Sequence, residues 1–346
     1  MELTERQEQI LRAVVSLYTA TARPVGSAAL LSVAALQVSS ATVRNEMAAL
    51  EEAGYVRQLH TSGGRVPTNL GYRYYVEKLM QADNLPPADA NTIRHQFHQA
   101  HSDMHEWLRL AATVMANRMH NVGIVTAPKS TESRLRHLEV LAIQNALALL
   151  IVVVQDGTVL QEMVNLSEPH SQETLSALSA RLNAEFHGLT SSAIEARLAQ
   201  FGHMDAAVAP MIVHLLRRGE GQHVEVIHAG LADMIRQPEF AETRPRASVS
   251  LTNQRLGHMV EFLHQGYAVQ RLLAEMPANA RVQVVIGGDM AAEGLTDYSF
   301  VLGRYGSDHD STGFLGVIGP TRMEYPRAVA LVRYMSHLMT DLMQAY

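Results

Sequence analysis

An α+β fold with two or three domains is what this sequence predicts, from three observations. Its 346 residues exceed what one average domain of about 150 residues needs. Apolar residues recur at helical spacing near both ends, as at Ile10, Leu11, Val14 and Leu17, and again at Leu331, Met335, Leu338 and Leu342. Between those ends run short β-rich segments, at 122–126, 135–143, 147–154 and 159–164, returning at 282–286, 299–305 and 314–318. Antiparallel strands with helices at both ends define the class.

Composition narrows the possibilities. There is no cysteine, which excludes disulfides, thiolate nucleophiles and Cys-based zinc sites. The longest apolar runs, such as Ala146 to Val154, are too short to span a bilayer. The opening residues MELTERQEQI are charged and helical in character, unlike a secretory signal, and Glu2 excludes myristoylation. The expectation is a cytoplasmic protein with no membrane partner. Net charge is −6, but it is uneven. The first 80 residues hold eight cations against seven anions, a net of +1, and the remainder carries −7. Any nucleic-acid affinity in the N-terminal region must therefore come from specific contacts and dimerisation more than from bulk charge.

Thr4-Glu5-Arg6-Gln7 has the form of a capping box and opens the first helix. Pro24 and Gly26 break it, and Ser27 is expected to cap a short second helix with Leu30, Leu31 and Val33. Ser39 should cap a third, in which Val43, Met47 and Leu50 fall at i, i+4, i+7 and face inward. Gly54 ends it as a C′ residue. Tyr55 to Leu59 then alternate as a strand, and HTSGGR, residues 60–65, makes a hairpin tip whose two glycines permit positive φ. Val66 starts the return strand, and Thr68 caps a helix with Tyr72, Arg73, Tyr74 and Tyr75. Helix, turn, helix and hairpin in this order read as a winged helix-turn-helix.

The outward positions at the start of the third helix are Ser40, Ala41, Thr42, Arg44 and Asn45, small or polar where a buried helix would carry bulk. A recognition helix aims its first turns at base edges. Arginine reads guanine and asparagine reads adenine, each bidentately. Hydroxyls suit phosphates. Arg65, read as lying at the flexible wing tip, is placed to enter a minor groove or touch phosphate. The candidate DNA-contacting residues are Ser40, Thr42, Arg44, Asn45, His60, Thr61, Ser62, Arg65 and Arg73. The competing reading is a winged helix used only for protein contacts.

The segments ATVRNEMAALEEAGY (41–55) and HTSGGRVPTNLGYRYYV (60–76) resemble the N-terminal signatures of the HrcA family of heat-inducible transcription repressors. GVIGPTRMEYPRAVALV (316–332) resembles that family's other hallmark, so the resemblance spans the chain and is weakest between about 165 and 280. Gly63 stands where alanine is expected, and Tyr298 where a small residue or cysteine is expected. The resemblance implies a winged helix over 1–85 and a GAF-like α+β domain in two pieces, 90–189 and 281–346. An inserted dimerisation domain would occupy 190–280, containing the strand 224–228 and the helix 252–265. It also implies a homodimer that binds an inverted-repeat double-stranded DNA operator of chaperone operons and is kept active by a GroE-type chaperonin. The alternative is a repressor whose GAF-like domain senses a small molecule.

The remaining segments carry less chemistry. Asp83 to Asp89 reads as a linker, and Asn91 to His120 as one long amphipathic helix with Ile93, Phe97, Ala100, Met104, Trp107, Leu108 and Ala111 on one face. His95, His98, His101 and His105 flank that face; a metal site, a solvated face or a helix pair at a subunit contact would each place them so, and the metal is the least favoured. Gln155-Asp156-Gly157-Thr158 is a hairpin turn, 171–186 a helix, and Pro326 the N1 residue of the last helix. Asp308-His309-Asp310 and Gly287-Gly288-Asp289 read as turns. Arg322 either binds an anion or, the favoured reading, fixes a turn or packs at a domain interface. No H-E-x-x-H, G-x-S-x-G or Walker A pattern occurs, so no catalytic, metal or cofactor residue is assigned and the chain is read as a non-enzyme with no cofactor.

Overall fold

A computed structural model describes residues 3–33, 39–59, 63–81, 84–100, 103–128, 133–155, 157–197, 205–221, 225–237, 257–263, 281–287, 295–307 and 311–345. The chain forms two units, the first comprising Met1–Ala127, Glu225–Gly306 and Gly313–Tyr346, the second Pro128–Val224 and Ser307–Thr312. The fold is α+β, as expected.

The first unit begins with helices α1 (Glu5–Thr21), α2 (Ser27–Val33) and α3 (Ser40–Glu52), then strands β1 (Val56–Gln58) and β2 (Arg65–Pro67), then α4 (Asn69–Tyr74). The capping box at Thr4 forms: its amide donates to Gln7 Oε1 at 3.0 Å, and its hydroxyl accepts from the Gln7 amide at 3.3 Å. Ser27 does not cap α2 as expected. The Gly26 carbonyl accepts from the Leu30 amide, which makes Ser27 the first helical residue and releases its side chain for another partner. Helix α4 runs on into one π-helical turn, Tyr75–Leu79.

Residues 91–120 do not form one helix. Helix α5 (Pro87–Gln99) ends at an extended Ala100, and α6 (Met104–Met119) starts afresh with Asp103 accepting from the His105 amide. The expected apolar face survives the break, with Ile93, Phe97, Trp107, Leu108 and Ala111 buried. The histidine row does not survive as one row: exposed His95 and His98 lie on α5, exposed His105 opens α6, and His101 lies outside the described residues.

Five strands follow in one sheet of order β7-β3-β10-β9-β8: β3 (Val122–Thr126), β7 (Val226–Ala229), β8 (Val282–Ile286), β9 (Tyr298–Gly306) and β10 (Thr312–Pro320). Helices α6 and the last helix, α11 (Tyr325–Ala345), pack on it. The other face carries Met234 of the short helix α10 (Leu231–Ile235), and Met259 and Phe262 of the helical segment 257–263. One apolar cluster runs without interruption from Ile10, Leu50 and Tyr72 to Leu108, Met323, Tyr325 and Met335. The N-terminal helical module and the sheet domain thus share a core.

The second unit is a meander of β4 (Leu135–Gln144), β5 (Leu147–Val154) and β6 (Val159–Asn165), with helices α7 (Gln172–Phe186), α8 (Ser191–Glu195) and α9 (Asp205–Gly221). Leu138, Val140, Leu150, Val152 and Leu160 bury one face of the sheet with Leu178, Leu182 and Ile212 of the helices. An edge strand exposes unpaired backbone groups. On β4 they are met by α7: Ser179 Oγ accepts from the Val140 amide at 2.9 Å, and the Asn183 amide group exchanges two 2.8 Å bonds with the Leu138 backbone.

Both units are discontinuous in sequence. Residues 135–165 group with 205–221 and 307–312, while 281–306 and 313–346 belong to the first unit. The strand expected inside the insert, now Val226–Ala229, pairs antiparallel with β3 in the five-stranded sheet. Asp308-His309-Asp310, residues 288–289 and Asp156 lie outside the described residues. No helix among the described residues is long and apolar enough to cross a membrane.

Candidate nucleic-acid interface

Helix α3 is fixed at both ends by short-range chemistry. Ser39 Oγ accepts from the Thr42 amide at 3.1 Å and satisfies one of the orphan donors of the first turn. At the other end Gly54, at φ 81°, donates to the Glu51 carbonyl and Tyr55 donates to that of Leu50, both at 2.9 Å. That pair of bonds is a Schellman motif, which needs a residue comfortable in the left-handed region at C′. Val43, Met47 and Leu50 are buried as expected, so the helix has one possible orientation. Fully burying a leucine or methionine contributes roughly 1.5–3 kcal/mol each.

That orientation leaves Ala41, Arg44 and Asn45 exposed and Ser40 and Thr42 half-buried. Thr42 shares a 2.9 Å hydrogen bond with Ser39 Oγ. Arg44 Nε donates to Ser27 Oγ at 3.4 Å, a long bond that aims the guanidinium without burying it. The four α3 candidates are therefore brought together on one accessible face, and Ser27, assigned a capping role from sequence, steers one of them.

The wing differs from its expected form. Strands β1 and β2 pair antiparallel, with Gln58 opposite Arg65, and Arg65 also forms a bridge to Val25 with two 2.9 Å backbone bonds. Arg65 is not at a mobile tip. Its Nε donates to Glu51 Oε2 at 2.8 Å, and only 19% of its side chain is exposed. The other oxygen of Glu51 accepts from the Gln58 amide at 3.0 Å. One carboxylate at the end of α3 thus holds both wing strands. The sequence suggested a positive φ at the tip glycines, but Gly64 does not adopt one; a Cβ there would lie 2.5 Å from the Val25 carbonyl carbon, so the position needs glycine for close approach. His60, Thr61 and Ser62 lie outside the described residues. Arg73 sits half-buried on α4.

Two residues near this surface escaped the sequence reading. Glu51 looked like any helix-end acid, and its role depends on a strand arriving 14 residues later. Arg57, exposed on β1, alternates outward from buried Val56 and adds a cation to the wing, which the strand period alone could have shown. Behind the wing, Tyr74 donates to Glu8 Oε1 at 2.6 Å and packs edge-on to Tyr55, with ring centroids 5.3 Å apart. That hydrogen bond to a carboxylate pushes the Tyr74 phenol up to about 12.

A capped helix presenting hydroxyls, a guanidinium and an amide beside a braced two-stranded hairpin defines the class: a winged helix-turn-helix DNA-binding protein. A family model described as "Winged helix-turn-helix transcription repressor, HrcA DNA-binding" matches residues 2–80, and one described as "HrcA protein C terminal domain" matches 105–329. The chain is 43% identical over 345 residues to the heat-inducible transcription repressor HrcA of Thermomicrobium roseum, covering 99% of this chain and 96% of that one. It is 38% identical to the HrcA of Chloroflexus aurantiacus, covering 99% and 94%. The chain belongs to the HrcA family of heat-inducible transcription repressors. A solved structure described only as that of a hypothetical protein superposes with a TM-score of 0.61 at 20% identity, covers 99% of both chains, and shares the fold.

Proposed function

We propose that the chain acts as a homodimer that binds a double-stranded DNA operator of inverted-repeat symmetry and represses chaperone operons in the cytoplasm. Each α3 would enter a major groove through Ser40, Thr42, Arg44 and Asn45, with the wing beside it, its tip residues His60, Thr61 and Ser62 and, behind it, Arg73 adding contacts to the backbone. The observation that carries this reading is the split character of α3: Val43, Met47 and Leu50 buried, Arg44 and Asn45 exposed between them.

Dimerisation is supported by the second unit. On β5 the side chains that point away from the core are Leu147, Leu149, Ile151 and Val153, none of them buried. Leu149 is flanked across the sheet by Leu141 and Met163, an apolar row, while Ile151 is flanked by Glu139 and Gln161. Ile143, Val159 and Met163 are 53%, 60% and 45% exposed. An exposed apolar row along the central strand, crossed by the Leu141–Leu149–Met163 row, suits a protein-protein contact. A second copy placed there would tether two recognition helices, and the second half-site would then bind intramolecularly.

Regulation by a GroE-type chaperonin is the second part of the proposal. A repressor whose folded population depends on chaperonin would lose occupancy when heat-unfolded proteins compete for that chaperonin. The test is an operator titration by fluorescence anisotropy, using duplexes selected from a random pool, with and without chaperonin. Tighter sequence-specific binding in its presence is expected. No sequence-specific binding under either condition would sink the proposal, and equal binding under both would remove the chaperonin from it.

A further inference from the structure

We infer that Arg322 is a positioning residue that sets the orientation of the DNA-binding module by capping α1 from the opposite end of the chain. The last carbonyls of a helix have no partner within it. In α1 the Tyr18 carbonyl takes the Ala22 amide, as Ala22 adopts a left-handed conformation at φ 54° and turns the chain away. The next carbonyl, that of Thr19, takes Nη1 of Arg322, 303 residues later. Helix C-termini carry partial negative charge and favour a cation. The last turn of α1 contains no basic residue of its own, so Arg322 supplies one.

Arg322 is held by a turn that is itself rigid. The Thr321 amide donates to the Asp297 carbonyl at 3.0 Å, at the start of β9. The Tyr325 hydroxyl donates to the Thr321 carbonyl at 2.7 Å and shares a 2.9 Å bond with Ser299 Oγ. The Tyr325 ring packs on Tyr72 of α4, centroids 5.8 Å apart. Beside this contact lies a cavity of about 160 Å³ lined by Tyr18, Arg57, Tyr72, Asp297, Thr321 and Arg322. The apolar core that joins module and sheet domain passes beneath this contact through Tyr72, Met323 and Tyr325, and the polar contacts of Arg322 act at its rim, where the cavity leaves the seam open. A displacement of the sheet domain at β9 or β10 is passed through this turn to α1, and from α1 to α3, which packs against it. The segment 316–332, far from the helix and wing in sequence, acquires in this way a direct part in presenting them.

The inference rests on the proposal that two modules engage two half-sites, and its test separates the two. The full-length chain, Arg322→Ala and Arg322→Lys are titrated against a selected operator, against the same operator with its half-sites moved by one or two base pairs, and against a single half-site. Wild type should discriminate against altered spacing. Arg322→Ala should lose about tenfold of that discrimination, the scale of one charge-assisted hydrogen bond, with single half-site affinity unchanged. Arg322→Lys, whose ammonium can still donate to one carbonyl, should recover part of it. Should Arg322→Ala fail to fold by circular dichroism, Tyr325→Phe, which keeps the ring and frees the turn, should show the same loss in smaller measure. Wild-type discrimination in folded Arg322→Ala, or in Tyr325→Phe where the first variant does not fold, overturns the inference. Absence of spacing preference in wild type overturns the dimeric reading instead.

Discussion

The recognition helix and the three-stranded sheet are both amphipathic elements with one face in a core, and their other faces are opposite in character. Helix α3 buries Val43, Met47 and Leu50 and turns Arg44 and Asn45 outward. Strand β5 buries Ala148, Leu150, Val152 and Val154 and turns Leu147, Leu149, Ile151 and Val153 outward. The buried faces explain only folding. The free faces tell the partners apart: hydrogen-bond donors and small residues suit hydrated base edges and phosphates, whereas an apolar row suits the surface of another protein.

Breaking the sheet face should have the largest effect. Leu149→Asp puts a carboxylate in the apolar row and should abolish self-association in sedimentation velocity. Operator affinity should then fall on the order of 100-fold, the loss of an intramolecular second half-site. The monomer's own fold should stay intact by circular dichroism, because Leu149 is outside the core, with only the concentration-dependent part of thermal stability lost. An intact dimer with weakened DNA binding would show that the face does something else.

Leu50→Ala tests the buried side of the helix. It should cost roughly 2–5 kcal/mol in urea denaturation, since Leu50 is fully buried and its carbonyl closes the Schellman motif. Arg44→Ala tests the free side. It should cost about 1–3 kcal/mol on the matched operator and little on unrelated duplex. Equal losses on both would make Arg44 a phosphate contact.

Arg65→Ala should sharpen the comparison by a small effect. A phosphate contact would lower the slope of log K against log salt by about 0.9. With Arg65 tied to Glu51, the slope should stay at the wild-type value while wing-flank footprints weaken. The smallest effect concerns Tyr74. Its proton is held to about 12 when folded, against roughly 10 when unfolded. The stability it contributes is complete below pH 10 and is lost as pH rises towards 12. Tyr74→Phe should flatten that part of a pH-stability profile.

What the sequence made legible was local. The capping box at Thr4, the cap at Ser39 and the Gly54 terminus each depend on residues three to five apart, and each forms. The inward stripe of α3 depends only on helical period. What escaped depends on chain segments meeting at a distance. Glu51 and Arg65 are 14 residues apart, and their pairing, which ties the wing to α3, has no local signature. The edge strand 226–229 joins β3 across about a hundred residues, so no local pattern could assign it to the central sheet. The break between α5 and α6 had a local signal, Asp103 with Glu106 three residues on, which the continuous apolar face concealed.

The central claim is that an apolar sheet face joins two chains so that two polar helix faces read DNA together. Selection of binding sites from a random duplex pool tests it most directly, run in parallel with the full-length chain and with Leu149→Asp. The account predicts an inverted repeat for the first and a single half-site for the second. A single unrepeated site selected by both, or an inverted repeat selected by a monomeric Leu149→Asp, would contradict it.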